Sequence, residues 1–258
     1  MTLHRFFVTT DLDNDAVCGV ALGLTETDRH HLSRVLRLVA GDRIVIADPA
    51  GREATATLTQ VSMGAVLADV DAPIARPRSP RVVLAPGLSR RERMELVIQK
   101  ATELGVDEIW PLVTERCVVR LDDERAGKRA ERWRRIAEEA AKQSQRAEVP
   151  ELRDLMTISE LAMETGRFDV VLVPWEEASA SGPGIGAVLD EAGATPDTAV
   201  LLVIGPEGGL TESEIDTLTA AGAGVVTLGS SILRTETAAI VALALTAYEL
   251  GALGGRGR

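Results

Sequence analysis

Residues 204–215 read IGPEGGLTESEI, and the change of character along this stretch decides the fold. The run leading into it, AVLLVI (199–204), is short, continuous and rich in β-branched residues, as expected of a strand buried on both faces. After it, Thr211 and Glu214 stand at the T-x-x-E spacing of a capping box, so a helix opens near Thr211. Between strand and helix lies a loop of three glycines, one proline and one carboxylate. A strand that runs into a helix N-terminus is where open α/β sheets bind small molecules. The loop lacks the G-x-G-x-x-G spacing of a dinucleotide site, and no Lys-Ser/Thr follows its last glycine as in a P-loop. A ligand other than a dinucleotide or a triphosphate is expected.

Outward from this stretch, strands alternate with helices. RVVLAPG (81–87), DEIWPLV (107–113), FDVVLVP (168–174) and GVVTLG (224–229) read as strands. RRERMELVIQKATELG (90–105) aligns Met94, Val97, Ala101 and Leu104 on one helical face. In ERAGKRAERWRRIAEEAAKQSQR (124–146) the buried stripe is Trp133, Ile136, Ala137, Ala140 and Ala141. A further helix follows the loop EASASGPG (177–184), and a last one starts at about Thr235. This alternation predicts an α/β domain with a mostly parallel sheet covered on both faces.

The first 72 or so residues read differently. HRFFVTT (4–10), RIVIAD (43–48), REATATLTQVS (52–62) and GAVLADV (64–70) have strand character. One helical stretch, HHLSRVLRLVAG (30–41), places Leu32, Val35, Leu36 and Val39 on one face and ends at Gly41. Short strands with one helix predict a small β-barrel. DAPIARPRSP (71–80), with three prolines, reads as a semi-rigid linker, so the chain divides into 1–74 and 75–258.

Composition sets limits. A hydrophobic share of 45% supports a real core, while 3% aromatics means that Val, Leu, Ile and Ala must build it. Cys18 and Cys117 are far apart with no C-x-x-C, which argues against a disulfide framework or a metal site and fits a reducing, cytoplasmic setting. The longest apolar stretch, AAIVALALTAYEL (238–250), is too short to span a membrane and carries Glu249. The net charge of −11 disfavours nucleic acid as a whole, yet residues 75–150 hold 17 Lys/Arg against 13 Asp/Glu. That basic middle fits either an RNA footprint or a solvated helix face.

Three loops carry the chemistry: VPWEE (173–177), IGPEGGL (204–210) and LGSSILRTET (228–237). If their strands are parallel, all three meet at one carboxyl edge. Ile232 and Leu233 would line a pocket for a flat ring, Thr235 would cap the last helix, and Glu236 suits its dipole. Each feature also has a purely structural reading: tight turns for the glycines, a solvated carboxylate for Glu207, a surface pair for Arg234. Their conjunction favours a site.

In this order, HHLSRVLRL, QKATELGVDEIWPLVTERC, EEAAKQSQR, IGPEGGLTESEI and LGSSILRTETA resemble the small-subunit ribosomal RNA uridine-N3 methyltransferase family of the SPOUT superfamily. The resemblance covers nearly the whole chain. It implies an N-terminal PUA-like RNA-binding barrel, a C-terminal α/β domain with a trefoil knot, a homodimer, and S-adenosylmethionine as methyl donor, with no metal and no membrane. Carried over by position, the donor site would comprise Pro174 and Trp175; Ile204, Gly205, Pro206, Glu207, Gly208 and Gly209; and Leu228, Gly229, Ile232, Leu233, Arg234, Thr235 and Glu236. The chain departs from the family at Ser230 and Ser231, where Pro-Arg is common, and at Gln145, where Gly is usual.

The implied reaction is methylation at N3 of a specific uridine in 16S ribosomal RNA, in the decoding region of the small ribosomal subunit. N3 is protonated at neutral pH and lies on the pairing edge, so the base must be unpaired and lose that proton. Arg234, Glu207 and Glu236 are the charged groups of the loops IGPEGGL and LGSSILRTET up to Glu236. Arg234 would hold the uracil, and Glu236 or Glu207 would orient it or take the proton. RNA contact is expected from Arg5, His30, Arg34, Arg37, Arg76, Arg78, Arg116, Arg129, Arg132 and Arg146, although a pair such as His30 and His31 more often simply starts a helix. Other readings are a different SPOUT RNA methyltransferase, acting on transfer or ribosomal RNA, and a non-catalytic ribosome-assembly factor.

Overall fold

The computed structural model describes residues 3–12, 15–48, 52–73, 80–117, 123–178 and 181–254. The chain forms two compact units, Met1–Pro77 with Ala141–Glu148, and Arg78–Ala140 with Val149–Arg258. Most of the linker read at 71–80 lies outside the described residues, and so do Arg76 and Arg78.

The first unit is built on β1 (Arg5–Phe7), β2 (Val17–Ala21), β3 (Arg43–Ala47), β4 (Glu53–Val61) and β5 (Val66–Val70), in the order β1-β3-β4-β5-β2. β1 pairs parallel with β3, and the other neighbours are antiparallel. Alternation explains β4: Ala54, Ala56 and Leu58 are buried with Phe6, Ile44, Ile46 and Ala68, while Thr55 and Thr57 are only partly covered. β2 escapes the sequence reading for a physical reason. VCGVA is half exposed, contains Gly19 at φ +67°, and slips register against β5 between Val17 and Val20, so no alternating pattern survives.

The helix expected over 30–41 is displaced. α1 (Glu26–His30) starts four residues earlier than that, behind Thr25, whose side chain accepts from the Asp28 N–H, and it passes into a π-helical turn, His31–Val35. The wider turn breaks the 3.6-residue stripe. Leu32 is fully buried, whereas Val35 and Val39 are each 61% exposed. The left-handed residue after the turn is Arg37 (φ 54°), and Gly41 instead serves the approach to β3, its N–H donating to Leu58 O.

The second unit contains β6 (Val82–Pro86), α2 (Arg91–Glu103), β7 (Glu108–Ile109), β8 (Leu112–Val113), all but the last three residues of α3 (Asp123–Gln143), β9 (Glu151–Leu152), β10 (Met156–Thr157) and α4 (Ile158–Glu164). It continues with β11 (Val170–Pro174), α5 (Ile185–Glu191), β12 (Val200–Ile204), α6 (Glu212–Ala220), β13 (Gly224–Val226) and α7 (Thr235–Glu249). The main sheet runs β13-β11-β12-β6-β7-β9, with every pair parallel. Successive residues of the central strands point to opposite faces. Leu84, Leu172 and Leu202 pack with residues of α2, α5 and α7, while Ala85, Val171 and Val203 pack with residues of α4 and α6. Every residue of β12 is buried, which is why its sequence reads as an unbroken apolar run. Burial of side chains of this size stabilises the fold by about 1.5–3 kcal/mol each.

DEIWPLV is not one strand. β7 joins the main sheet, whereas β8 pairs with β10 in a separate ladder. Pro111, which has no N–H for a ladder, marks the break between them. Among the described residues, no helix is long and apolar enough to cross a membrane.

Candidate active site

Because β13, β11, β12 and β6 are parallel neighbours, their carboxyl ends share one edge. There the three loops singled out above enclose a cavity of about 290 Å³. Its wall comprises Pro174, Trp175 and Glu176 at the end of β11; Ile204 to Glu207 and Gly209 at the end of β12; Thr227 to Arg234 ahead of α7; and Thr235 and Ala238 of α7, with Arg93 completing it.

The glycines of the β12 loop are there for space. A Cβ on Gly205 would stand 3.2 Å from Gly209 C and Leu210 N, since the loop doubles back and the Gly209 N–H donates to Pro206 O at 2.9 Å. Gly209 takes φ +70°, and a Cβ there would run into the Glu176 carboxylate. Below the loop, a Cβ on Gly87 would lie 2.6 Å from Pro206 N. The loop ends on the capping box: Glu214 N donates to Thr211 Oγ1 (3.3 Å) and Thr211 N to Glu214 Oε2 (2.9 Å). Buried Glu214 also accepts from Glu115 N–H at 2.9 Å.

At the start of α7 the cap is one residue earlier than expected. Arg234 is the N-cap, with extended backbone and a carbonyl that accepts from Ala238 N–H at 2.8 Å; Thr235 is the first helical residue and is buried. Arg234 itself is exposed beside the cavity, Leu233 is half-buried, and Ile232 is 85% exposed.

Glu207 is not a solvated loop carboxylate. Its Oε1 accepts from the Arg90 N–H (3.0 Å) and pairs with Arg93 Nη1 (3.3 Å). Arg93 Nε lies 3.8 Å from Glu236 Oε2, so one guanidinium serves both acids. Glu236 does not line the cavity, and neither does Gly208, which faces Arg116. Arg93, Glu176, Thr227 and Ala238 were missed by the sequence reading; apart from the E next to Trp175, nothing local marks them. Among the described residues, Trp175 Nε1 and Glu207 Oε2 of the cavity wall, and Oε2 of Glu236 beside it, are buried without a hydrogen-bond partner. A glycine-walled cavity with a tryptophan, two branched apolar side chains and unsatisfied polar atoms around it fits a ligand that combines a flat ring with hydrogen-bonding groups.

A family profile described as an RNA methyltransferase domain matches residues 77–247, and one described as an RNA methyltransferase PUA domain matches 24–71. The chain is 38% identical to ribosomal RNA small subunit methyltransferase E of Bacillus subtilis, over 90% of this chain and 91% of that one. The chain belongs to this RNA methyltransferase family. The protein of the same name from Mycobacterium bovis is 36% identical, over 94% and 90% of the two chains. Among solved structures, the small subunit methyltransferase E of Neisseria gonorrhoeae bound to S-adenosylmethionine is 30% identical, with a TM-score of 0.81 over 95% of this chain and 97% of that one. A methyltransferase of Legionella pneumophila, in complex with the same cofactor, gives 0.75 at 30% identity over 96% and 98%. The fold is therefore that of the SPOUT methyltransferases, with a PUA domain at its N-terminal end.

The residues that this methyltransferase was expected to offer to RNA are placed unevenly. His30, Arg34 and Arg37 are exposed along α1 and the π-helical turn, with no charged partner among the described residues. His31 instead meets Phe6 edge-on, ring centres 6.4 Å apart. Arg5 is turned inward: its side chain is 6% exposed and faces Glu53. Arg116 Nη1 donates to Gly208 O and Leu210 O, and Arg129 lies over the Trp133 ring. Arg132 grips Glu95 with both Nε and Nη2 (2.5 and 2.8 Å), which holds that carboxyl down to about 2, against burial, with Arg91 assisting. Arg146 is half-buried next to Gln145, which takes φ 60°, a conformation that favours glycine. Among the described residues, no group of three His, Cys, Asp or Glu is placed to hold a metal ion.

Proposed function

We propose that this protein uses S-adenosylmethionine to methylate N3 of a uridine in 16S ribosomal RNA, in the decoding region of the small ribosomal subunit. The homodimer and the trefoil threading implied by the motifs belong to the same reading. The observation that carries it is the meeting of three carboxyl-edge loops around one cavity, with Arg234 and Glu207 in its wall and Glu236 beside it.

When bound, the cofactor supplies an electrophilic methyl group on a sulfonium. Trp175, Leu228 and Leu233 give apolar surface for its ring, and the tight backbone from Gly205 to Gly209 lets main-chain groups come close to it. Arg234, exposed at the helix start, would donate to a uracil carbonyl and stabilise negative charge as the N3 proton leaves. Glu207 or Glu236 accepts or orients that proton. Because positioning alone can lower a barrier by about 7–11 kcal/mol, the rigid framing of Glu207 by Arg90 and Arg93 is itself part of the chemistry.

The test is nucleoside mass spectrometry on unmethylated small subunits, and on naked ribosomal RNA, incubated with protein and S-adenosylmethionine. N3-methyluridine formed on the subunits is the expected result. A different methylated nucleoside would overturn the target, and no methylation together with no donor binding would leave an assembly factor.

A further inference from the structure

Two acids from different loops converge on one cation beside the cavity. Glu207 belongs to the loop after β12 and Glu236 to the first turn of α7; both face Arg93 on α2, at 3.3 and 3.8 Å. Their side chains are 15% and 13% exposed, and the Oε2 atom of each is buried without a hydrogen-bond partner among the described residues. Arg93 is itself in the cavity wall.

Like charges brought together where water is scarce repel strongly unless a counter-charge lies between them. Without Arg93, the β12 loop and the start of α7 would push apart, and the cavity between them would lose its shape. With Arg93 in place, Glu207 stays where its Oε1 also takes the Arg90 N–H, which anchors the loop to the start of α2. We infer that Arg93 is a positioning residue for the donor pocket, acting through Glu207 and Glu236 to hold the two loops at the spacing that the donor requires. This rests on the reading of the cavity as the S-adenosylmethionine site. It also narrows the chemistry, because the two acids are clamped by one arginine and are not both free acceptors.

The test compares Arg93→Met, Arg93→Lys and the double variant Arg93→Met/Glu236→Gln in the full-length protein, with Arg91→Met as a control outside the pocket. Calorimetric titration with S-adenosylmethionine gives donor affinity, and hydrogen exchange of the Arg90 amide reports the anchor with no ligand present. Arg93→Met is expected to weaken donor binding about tenfold or more and to speed Arg90 exchange, since breaking one partner of a buried pair strands the other charge. Arg93→Lys should recover most of the affinity. The double variant should recover part of it, because Glu236→Gln removes the repulsion. A filler role for Arg93 gives no such recovery.

Arg93→Met binding the donor within twofold of wild type, with unchanged Arg90 exchange, would overturn the inference. If Arg93→Met fails to fold, Arg93→Lys against wild type, and Glu236→Gln alone against both, still decide it through the same amide. If wild-type protein binds no donor while Arg90 exchange responds as expected, the clamp stands and the donor reading falls.

Discussion

Arg116 and Gly208 meet twice. The Arg116 guanidinium donates to Gly208 O at 3.2 Å, and a Cβ on Gly208 would lie 2.9 Å from Arg116 Cβ. Arg116 Nη1 also reaches Leu210 O at 3.4 Å, so the arginine of the TERC motif braces the outer side of the β12 loop. Glycine at 208 is what allows that approach.

Arg116→Ala is therefore expected to act on the donor and not on RNA. Loss of two charged hydrogen bonds to carbonyls, each worth about 1.5–3 kcal/mol at most and less at this exposed site, should loosen the loop. The expected outcome is donor affinity reduced severalfold in a calorimetric titration, with the salt dependence of RNA binding unchanged. A shallower salt slope with unaltered donor affinity would restore Arg116 to the RNA surface.

Arg234→Ala tests the chemistry itself. Arg234 is exposed and makes no side-chain cap bond to α7, so its truncation should leave the thermal midpoint within a few degrees of wild type. If it holds the developing charge on the uracil, the single-turnover rate should fall about 10²–10³-fold, the range for loss of one preorganised donor. Full turnover in a normally folded variant would remove Arg234 from the mechanism.

The buried strands and the capping box were legible because their signals are local. β12 is an apolar run between two punctuated ends, and Thr211 and Glu214 make the paired bonds that their spacing specifies. The three loops were legible too, since strand-to-helix connections of a parallel sheet must share an edge. What was not legible depends on contacts between residues distant in sequence. Arg93 occupies an ordinary polar position on α2 and gains its role only from Glu207 and Glu236. Gly208 and Gly209 read alike, yet one faces Arg116 and the other the cavity. The π-helical turn at His31–Val35 carries no periodic mark, and Arg5 is neutralised by Glu53, its neighbour across the first sheet.

Glu108 gives a pH dependence to the second unit. Burial alone would raise its carboxyl, but hydrogen bonds from Arg81 and Trp110, with the charges of Arg81 and Arg153, outweigh burial and hold it below the ordinary 4.5. A carboxyl depressed in the folded state contributes stability above its unfolded value and loses that contribution as pH falls through the folded one. Wild-type protein should thus lose thermal stability below about pH 4.5, while Glu108→Gln starts lower at neutral pH and changes less over the same interval. Parallel curves of melting temperature against pH would show that other carboxyls set the acid limit.

The expectation that the first unit contacts RNA is best tested at Arg34 and Arg37. Both are exposed, beside the exposed His30, on a turn whose wide helical geometry and left-handed Arg37 (φ 54°) are uncommon for such residues. An exposed cation without a charged partner among the described residues is available for a phosphate contact. Each of Arg34→Ala and Arg37→Ala should weaken binding to small-subunit RNA and lower the slope of log affinity against log salt by about 0.7, one released counterion on single-stranded RNA. Arg5→Ala should leave that slope unchanged and lower stability instead, because its charge is opposed by Glu53 inside the unit. Arg37→Gly separates backbone from charge: glycine relieves the left-handed strain, so this variant should be at least as stable as Arg37→Ala and lose the same single counterion. Unaltered slopes in Arg34→Ala and Arg37→Ala would move the electrostatic footprint away from this turn.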